Sequence, residues 1–404
     1  MPSFNSSLSP CDNKLMNKLP KIMRFHLAAT AGVLAFCCSS MAAPVTPPPA
    51  VASSAVRENA YPVHEVDFPN GTRGIPGIPF WQESGFRPVT LDLYLPPSDH
   101  HKPSAGFPFV VYIHGGGWLG GDPQRTGAFV DFPGVLASLA ERGYAVASVG
   151  YRLSGEARFP AQIRDIKAAV RWIRLHASNY GIDPARAMAW GVSAGGHLAA
   201  LAALSCGATE LEPQPDEPAG RPAVEPKPVL IGAGSVSDCI QGAVAWYGVF
   251  DLATLVGTWA GQKFAAGQDP RAPVWQLLGC REPHCRTEDM AAASPVGYVD
   301  AGDPPMLLIV GSDDTTVPTA QTLEMADRLK SRGVSHELLV IPNVNHSFIG
   351  PTREATRRAN LGALTATFEF IDKTLGKRVE QPSRSISPTD PLSGPLVKTK
   401  PNRN

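Results

Sequence analysis

The sequence predicts an α/β fold in which a mostly parallel central sheet of about eight strands carries helices on both faces. Short apolar runs alternate along the chain with segments of helical periodicity, which is the order of repeated β-α-β units. Two glycine-rich turns, at 115–117 and 191–196, directly follow apolar runs, as functional turns of such sheets do. The 404 residues allow one large domain of roughly 250 to 300 residues with disordered ends, or two smaller domains.

Seven apolar runs account for most of the predicted strands. In residues 89–95 leucines alternate with more polar residues, which predicts a strand of antiparallel type with one face toward solvent. The other six are short, nearly uninterrupted apolar runs. They are residues 109–113, 145–149, 187–190, 243–247, 306–310 and 337–341.

The clearest predicted helix covers residues 161–177. Four branched apolar residues recur at helical spacing and leave the basic residues on the other face: Ile163, Ile166, Val170 and Ile173. Further helices are predicted directly after Ser193, at 318–330 and at about 352–375.

Two segments between these elements are predicted to lie outside the core. Residues 210–228 are dense in proline and glutamate, which favours a surface insertion. Residues 252–285 contain Trp259, Phe264 and Trp275 without a clear strand pattern, so we expect a small cap there.

The N-terminal segment has the composition of a secretory signal peptide. Four basic residues precede an uncharged run at 27–38, and small residues follow it. The run is about a dozen residues long, whereas a membrane span needs about 20, so no stable membrane insertion is expected. We therefore predict export to the periplasm or the medium, with residues 1–42 as the leader and a start at Met23 giving it ordinary length. Lipidation at Cys37 is less favoured, because the bulky Phe36 precedes it.

The remaining boundaries follow from composition. Residues 43–60 are rich in Pro, Ala and Ser and predict a disordered linker, and residues 377–404 predict a disordered tail. The folded α/β domain is then expected to cover residues 61–376.

Four of the seven cysteines lie beyond the leader, which favours disulfides in an exported chain. Cys280 and Cys285 close a short loop easily, and Cys206 and Cys239 are then left to pair across the proline-rich insertion. The alternatives are four buried thiols, or a metal site at Cys280, His284 and Cys285 that lacks a fourth ligand.

The charge balance bears on the class of partner. Lys and Arg together number 36, and Asp and Glu also number 36. No basic surplus is present to hold nucleic acid or an anionic membrane, so a small neutral substrate is the better expectation.

The pattern Gly191-Val192-Ser193-Ala194-Gly195 lies between a predicted strand and a predicted helix. Taken alone such a string is often an ordinary loop, but between a strand and a helix it predicts the nucleophile elbow of a serine hydrolase. There a sharp turn lifts the serine hydroxyl above the sheet, and the glycines prevent clashes. Ser193 is therefore the candidate nucleophile.

The first glycine-rich turn supplies candidate oxyanion donors. Gly116 and Gly117 follow the predicted strand 109–113 after His114, and a glycine run lets backbone amides approach an oxyanion. With the amide of Ala194 they form the predicted oxyanion hole. His114 is expected to be structural.

The acid and the base are expected after late strands, in the chain order Ser, Asp, His. Asp313 and Asp314 compete for the acid, and Asp314 is favoured because it stands where the loop turns toward a helix start. His346 follows the last predicted strand and is the candidate base, whereas His336 precedes that strand.

Four other residues near these motifs invite an interpretation. His197 follows the nucleophile on its helix and is expected to pack or hydrogen-bond rather than act as a second base. Trp118 is a candidate pocket residue, while Trp246 and Tyr247 are expected to lie in the core.

Taken together, several motifs resemble the esterase/lipase branch of the α/β-hydrolases, over roughly residues 89–370. The similarity is closest to the bacterial feruloyl-esterase-like (BD-FAE) group, next to the hormone-sensitive-lipase-like esterases. Val192 departs from the latter, which usually carry an acidic residue there. The matching motifs are His114 to Trp118, Tyr151 to Leu153, Phe159 to Asp165, Tyr180 to Pro184, Gly191 to His197, and the Asp-x-x-Val-Pro turn that selects Asp314.

The resemblance implies hydrolysis of a carboxylic ester through an acyl-enzyme on Ser193, without a metal or organic cofactor. It leaves the acyl group open among ferulate, acetate on xylan and short alkyl acids, on a small molecule or a polysaccharide. The alternatives are an amide or peptide hydrolase of the arylformamidase type, and a non-catalytic binding module of the same fold.

Overall fold

The computed structural model describes residues 64–82, 86–213, 236–265, 267–280 and 285–376. The predicted leader, linker and tail lie outside these residues, as does most of the predicted surface insertion. The described strands are β1 Val66–Asp67, β2 Arg73–Trp81, β3 Val89–Leu95, β4 Phe107–Ile113, β5 Ala145–Val149, β6 Ile182–Val192, β7 Ala243–Trp246, β8 Met306–Gly311 and β9 His336–Ile341.

Helices follow most of the strands. They are α1 Phe132–Glu141, α2 Ala161–Leu175, α3 Ala177–Tyr180, α4 Ala194–Leu204, α5 Leu252–Gly257, α6 Ala272–Leu278, α7 Thr287–Ala292, α8 Thr319–Ser331 and α9 Arg353–Leu375. Within the described ranges, each helix is too short or too polar to cross a bilayer.

All strands belong to one sheet, in the order β1-β2-β3-β5-β4-β6-β7-β8-β9. The first three strands are antiparallel to their neighbours, and every pair from β5 to β9 is parallel. The predicted fold class is confirmed, and the described residues form nine strands rather than the predicted number of about eight.

Strand β2 was not predicted, because two prolines and two glycines interrupt its apolar pattern. Its pairing with β3 has irregularities between Ile75 and Ile78 and between Pro79 and Trp81. Such bulges let a strand accept proline without losing its ladder altogether. The pattern was therefore too irregular to indicate a strand.

The inner parallel strands β4, β5, β7 and β8 and the second half of β6 are buried on both faces, whereas the edge strand β9 is partly exposed. On β4 the side chains of Phe109 and Val111 pack with the layer of α2 and α4, while Val110 and Tyr112 pack with the layer of α1 and α9. Successive strand residues point to opposite faces, and here both faces are covered. This is why these strands appear in the sequence as uninterrupted apolar runs.

Both predicted cysteine pairs lie at disulfide bonding distance. The Cα atoms of Cys206 and Cys239 are 4.9 Å apart, and those of Cys280 and Cys285 are 5.1 Å apart. The first pair joins the end of α4 to the approach of β7. The alternative of four buried free thiols therefore does not fit the structure, and the metal alternative involves His284, which lies outside the described residues.

Candidate active site

Ser193 occupies the sharp turn between β6 and α4. Its backbone has φ 54° and ψ −121°, in a region that residues with a side chain seldom adopt. Its amide donates to the carbonyl of Trp246 at 2.9 Å. A Cβ at Gly191 would collide with the carbonyl of Gly195, and one at Gly195 would collide with that of Ile113. Both glycines are thus required by the turn.

Three predicted site residues meet at the carboxyl ends of three parallel strands. Ser193 follows β6, Asp314 follows β8 and His346 follows β9. The Nε2 atom of His346 lies 3.0 Å from Oγ of Ser193, and its Nδ1 lies 2.8 Å from Oδ2 of Asp314. An unbroken chain of hydrogen bonds therefore runs from the carboxylate to the serine.

The two candidate aspartates have different surroundings. The Asp314 side chain has no exposed surface, and its Oδ1 accepts hydrogen bonds from the amides of Thr316 at 3.0 Å and Val317 at 2.9 Å. Asp313 is exposed and accepts a hydrogen bond from the Ser312 hydroxyl at 2.6 Å. Only Asp314 of the two contacts His346.

The loop carrying His346 is conformationally strained. Ser347 and Phe348 have φ values of 58° and 54°. The buried side-chain amide of Asn360, on α9, donates to the carbonyls of Ser347 at 3.4 Å and Phe348 at 3.3 Å. The ring of Tyr247 meets the His346 imidazole edge-on, with 4.6 Å between centroids. These contacts hold the loop in place.

Sequence reasoning missed the roles of Asn360 and Tyr247. Asn360 lies in the middle of a long helix with no motif around it, and it is 13 residues from the Ser347 carbonyl it binds. Tyr247 was expected in the core; it is buried, but its ring also forms part of the cavity wall beside His346.

The residues 115–118, hereafter the glycine turn, border the same cavity. Gly116 and Gly117 have φ values of 112° and 61°, and a Cβ at Gly116 would collide with the Gly120 carbonyl. Among the described residues, none accepts a hydrogen bond from the amide of Gly116, Gly117 or Ala194. All three residues line the cavity with Ser193.

The cavity has a volume of about 830 Å³ and contains Ser193 and His346 in its wall. Its polar lining includes Gln124, Arg125 and Thr126. Its apolar lining comes mainly from the segment between β7 and β8, where the sequence predicted a cap: Val249, Leu255, Trp259, Pro273 and Val274. The cavity is large enough to hold a small molecule.

Two further histidines lie close to the site without joining the hydrogen-bond chain. Burial lowers the pKa of His114, which stacks on Tyr151 with 4.4 Å between centroids. Burial also lowers the pKa of His197, to about 4, and its Nδ1 lies 3.2 Å from the indole nitrogen of Trp118. Trp118 lines the cavity, while Trp246 packs in the core.

Comparison with known proteins gives a consistent set of similarities. The profile of the BD-FAE family matches residues 91–329. Esterase LipQ of Mycobacterium tuberculosis is 29% identical over 311 residues, which is 76% of this chain and 64% of LipQ. The probable carboxylic ester hydrolase LipM of the same organism is 31% identical over 61% of this chain and 51% of LipM. The chain thus spans between half and two thirds of the length of these relatives.

Solved structures show the same fold. A truncated carbohydrate esterase from gut microbiota matches with a TM-score of 0.55 and 26% identity, over 70% of this chain and 90% of that one. Esterase 2 from Thermogutta terrifontis matches with a TM-score of 0.53 and 27% identity, over 74% of this chain and 92% of that one.

Proposed function

The chain belongs to the BD-FAE family, and from this premise we propose that it is a serine carboxylic-ester hydrolase that works through an acyl-enzyme. The observation that carries the proposal is the hydrogen-bond chain from Asp314 through His346 to Ser193, with bonds of 2.8 and 3.0 Å. A serine hydroxyl becomes a nucleophile when a neighbouring base removes its proton and a third group orients that base.

In the proposed reaction, Oγ of Ser193 attacks the ester carbonyl carbon while Nε2 of His346 takes the hydroxyl proton. Asp314 accepts a hydrogen bond from the Nδ1–H group and so keeps the imidazole in the tautomer that can act as base. His346 then protonates the leaving alcohol, and water, activated by the same imidazole, releases the acid from Ser193. These steps use only groups of the chain and water.

The carbonyl oxygen gains negative charge in each tetrahedral intermediate. The amides of Gly116, Gly117 and Ala194 are proposed to donate hydrogen bonds to it, because they line the cavity beside Ser193 and have no acceptor among the described residues. Each such donor typically contributes about 3 kcal/mol to lowering the barrier.

The proposed substrates are neutral esters of small acids, on a small alcohol or on a polysaccharide. Support comes from the largely apolar wall of the 830 Å³ cavity and from the carbohydrate esterase among the similar structures. Two cysteine pairs at bonding distance and the leader-like N-terminus support export.

The direct test compares wild type, Ser193→Ala and Ser331→Ala on p-nitrophenyl acetate. Ser331 is an exposed serine on α8 and serves as the matched control. We expect activity in wild type and Ser331→Ala and none in Ser193→Ala, with unchanged circular dichroism in all three. An organophosphate that labels active serines should modify the peptide containing Ser193. Retained turnover in Ser193→Ala would refute the proposal.

A substrate panel then tests the reaction class. Methyl ferulate, acetylated xylan and p-nitrophenyl acetate are compared with an N-formyl arylamine. Faster turnover of the formamide than of every ester would replace the proposal by an amide hydrolase.

A further inference from the structure

Trp118 has an unfavourable backbone conformation directly after the two glycines of the proposed oxyanion hole. Its φ is 59°, so three consecutive residues of the glycine turn have positive φ, and the third is bulky. A large side chain in this region costs conformational energy, and such a residue persists only where its surroundings hold it. The surroundings of Trp118 therefore determine the shape of the turn.

Two sets of contacts hold Trp118, one on its backbone and one on its ring. Its carbonyl accepts hydrogen bonds from the amide of Ser154 at 2.8 Å and from the Ser154 hydroxyl at 3.0 Å. Its indole N–H donates to Nδ1 of His197 at 3.2 Å, and the ring is only 2% exposed. Among the described residues, the hydrogen bond to His197 is the polar contact of the Trp118 indole ring.

His197 is in turn held by the carbonyl of Ala293, 2.7 Å from its Nε2. An indole can only donate and a carbonyl can only accept, so Nδ1 is bare and Nε2 carries the hydrogen. Only the neutral imidazole in this one tautomer satisfies both partners. Burial, which lowers the pKa of His197 to about 4, acts in the same direction.

The position of His197 links the two halves of the proposed oxyanion hole. It lies on α4, and its backbone amide donates to the Ser193 carbonyl at 3.0 Å. The helix that carries the Ala194 amide thus also carries the acceptor that holds the glycine turn. A fixed distance between Ala194 and the amides of Gly116 and Gly117 is what an oxyanion hole needs.

We propose that His197 is a positioning residue of the oxyanion hole. By accepting a hydrogen bond from the Trp118 indole, it holds the glycine turn at a fixed position relative to the amide of Ala194. It contacts neither substrate nor the reacting atoms. The proposal rests on the proposed esterase function, and it assigns His197 a part in transition-state binding rather than in proton transfer.

The test replaces His197 in two ways. Asparagine carries Oδ1 on Cγ, as histidine carries Nδ1, so His197→Asn keeps an acceptor for the indole. His197→Leu removes it. We expect His197→Leu to lower kcat by about 10- to 100-fold, a fraction of the 100- to 1,000-fold loss that follows deletion of a full oxyanion donor. His197→Asn should recover most of that loss, and KM should change by less than about threefold in both.

A transition-state analogue separates positioning from general destabilisation. A trifluoromethyl ketone forms an oxyanion on addition of Ser193, whereas an ether analogue of the substrate, with CH2 in place of the carbonyl, cannot. Affinity for the ketone should fall in His197→Leu by the same factor as kcat/KM, while affinity for the ether stays constant. In a Trp118→Phe background, which has no indole donor, His197→Leu should cause little further loss.

His176→Leu is the matched control, because His176 also contacts a tryptophan ring: it stacks on Trp172 with 4.2 Å between centroids, whereas His197 meets Trp118 edge-on. It should leave kcat unchanged. Equal kcat in His197→Leu and wild type, or equal losses in His197→Asn and His197→Leu, would overturn the proposal. If His197→Leu does not fold, Trp118→Phe supplies the same test, since a normal kcat there would also overturn it. An inactive wild type or an active Ser193→Ala would instead refute the esterase function itself.

Discussion

The Asp314 side chain has no exposed surface, and its Oδ2 accepts a hydrogen bond from Nδ1 of His346 at 2.8 Å. Two backbone amides bind the other carboxylate oxygen, so the group is fixed in orientation as well as in place. A buried carboxylate is tolerated when hydrogen bonds satisfy it, and here each oxygen has a donor. The relationship gives Asp314 a role that the adjacent Asp313 cannot share.

Replacing Asp314 by Asn should lower kcat by about 1,000- to 10,000-fold, because an amide no longer enforces the tautomer of His346 that can accept a proton. Asp313→Asn should change kcat by less than about threefold, since its side chain is exposed and remote from the imidazole. Steady-state kinetics on p-nitrophenyl acetate measure both. The reverse ranking would reassign the acid.

Stability should depend on pH through His197. Its pKa is lowered from 6.5 in the free side chain to about 4 in the folded protein, so between these values the unfolded chain binds more protons. With respect to this group, the free energy of unfolding is therefore highest above pH 6.5 and decreases as the pH falls toward 4. By pH 5 this one group should cost about 2 kcal/mol of unfolding free energy. Urea unfolding of wild type and His197→Asn at pH 7 and pH 5 measures the difference, and equal pH dependence in the two would contradict it.

Asn360→Leu should weaken both the fold and catalysis. The change leaves the carbonyls of Ser347 and Phe348 without the amide that binds them, and buried polar groups without partners cost about 1 to 3 kcal/mol. Because these residues adjoin His346, kcat should fall more than about tenfold. Thr365→Ala, at an exposed position of the same helix, is the control and should affect neither the urea midpoint nor kcat.

The two disulfides should contribute unequally to stability. Cys206 and Cys239 are separated by 33 positions and Cys280 and Cys285 by 5. Loop-closure entropy then predicts losses of about 3 to 4 kcal/mol and about 2 kcal/mol when each pair is replaced by serines. Denaturant titration of the two double variants tests the ranking. Free thiols at these positions in the unreduced protein would contradict the pairing.

Several elements were predictable from sequence because their signals are local. The parallel strands show as apolar runs, and α2 and α9 show as long amphipathic segments. Helix α1 carries local signals as well, since Asp131 caps it through the amide of Gly134 at 2.9 Å and proline lies in its first turn. Helix α1 is nevertheless not among the predicted helices. Strand β2 was not predicted either, because its prolines interrupt the apolar pattern.

Some residues of the candidate site were likewise predictable from local sequence, and others were not. Ser193, Asp314 and His346 each follow a strand within a recognisable turn, so their types and order were readable. Asn360 and Tyr247 act through contacts that no motif encodes, because Asn360 is defined by the loop it faces and Tyr247 by the imidazole beside it.

By itself the sequence determined the α/β class, the family, the turns that need glycine and the order of the candidate catalytic residues. These depend on residue type and spacing over a few positions. The tertiary structure decided that His197 binds Trp118, 79 positions away, and that Nε2 of His346 reaches Ser193 across 153 positions. Such pairs depend on the order of the strands in the sheet and on the connections between them. A short stretch of sequence does not contain the order of the strands.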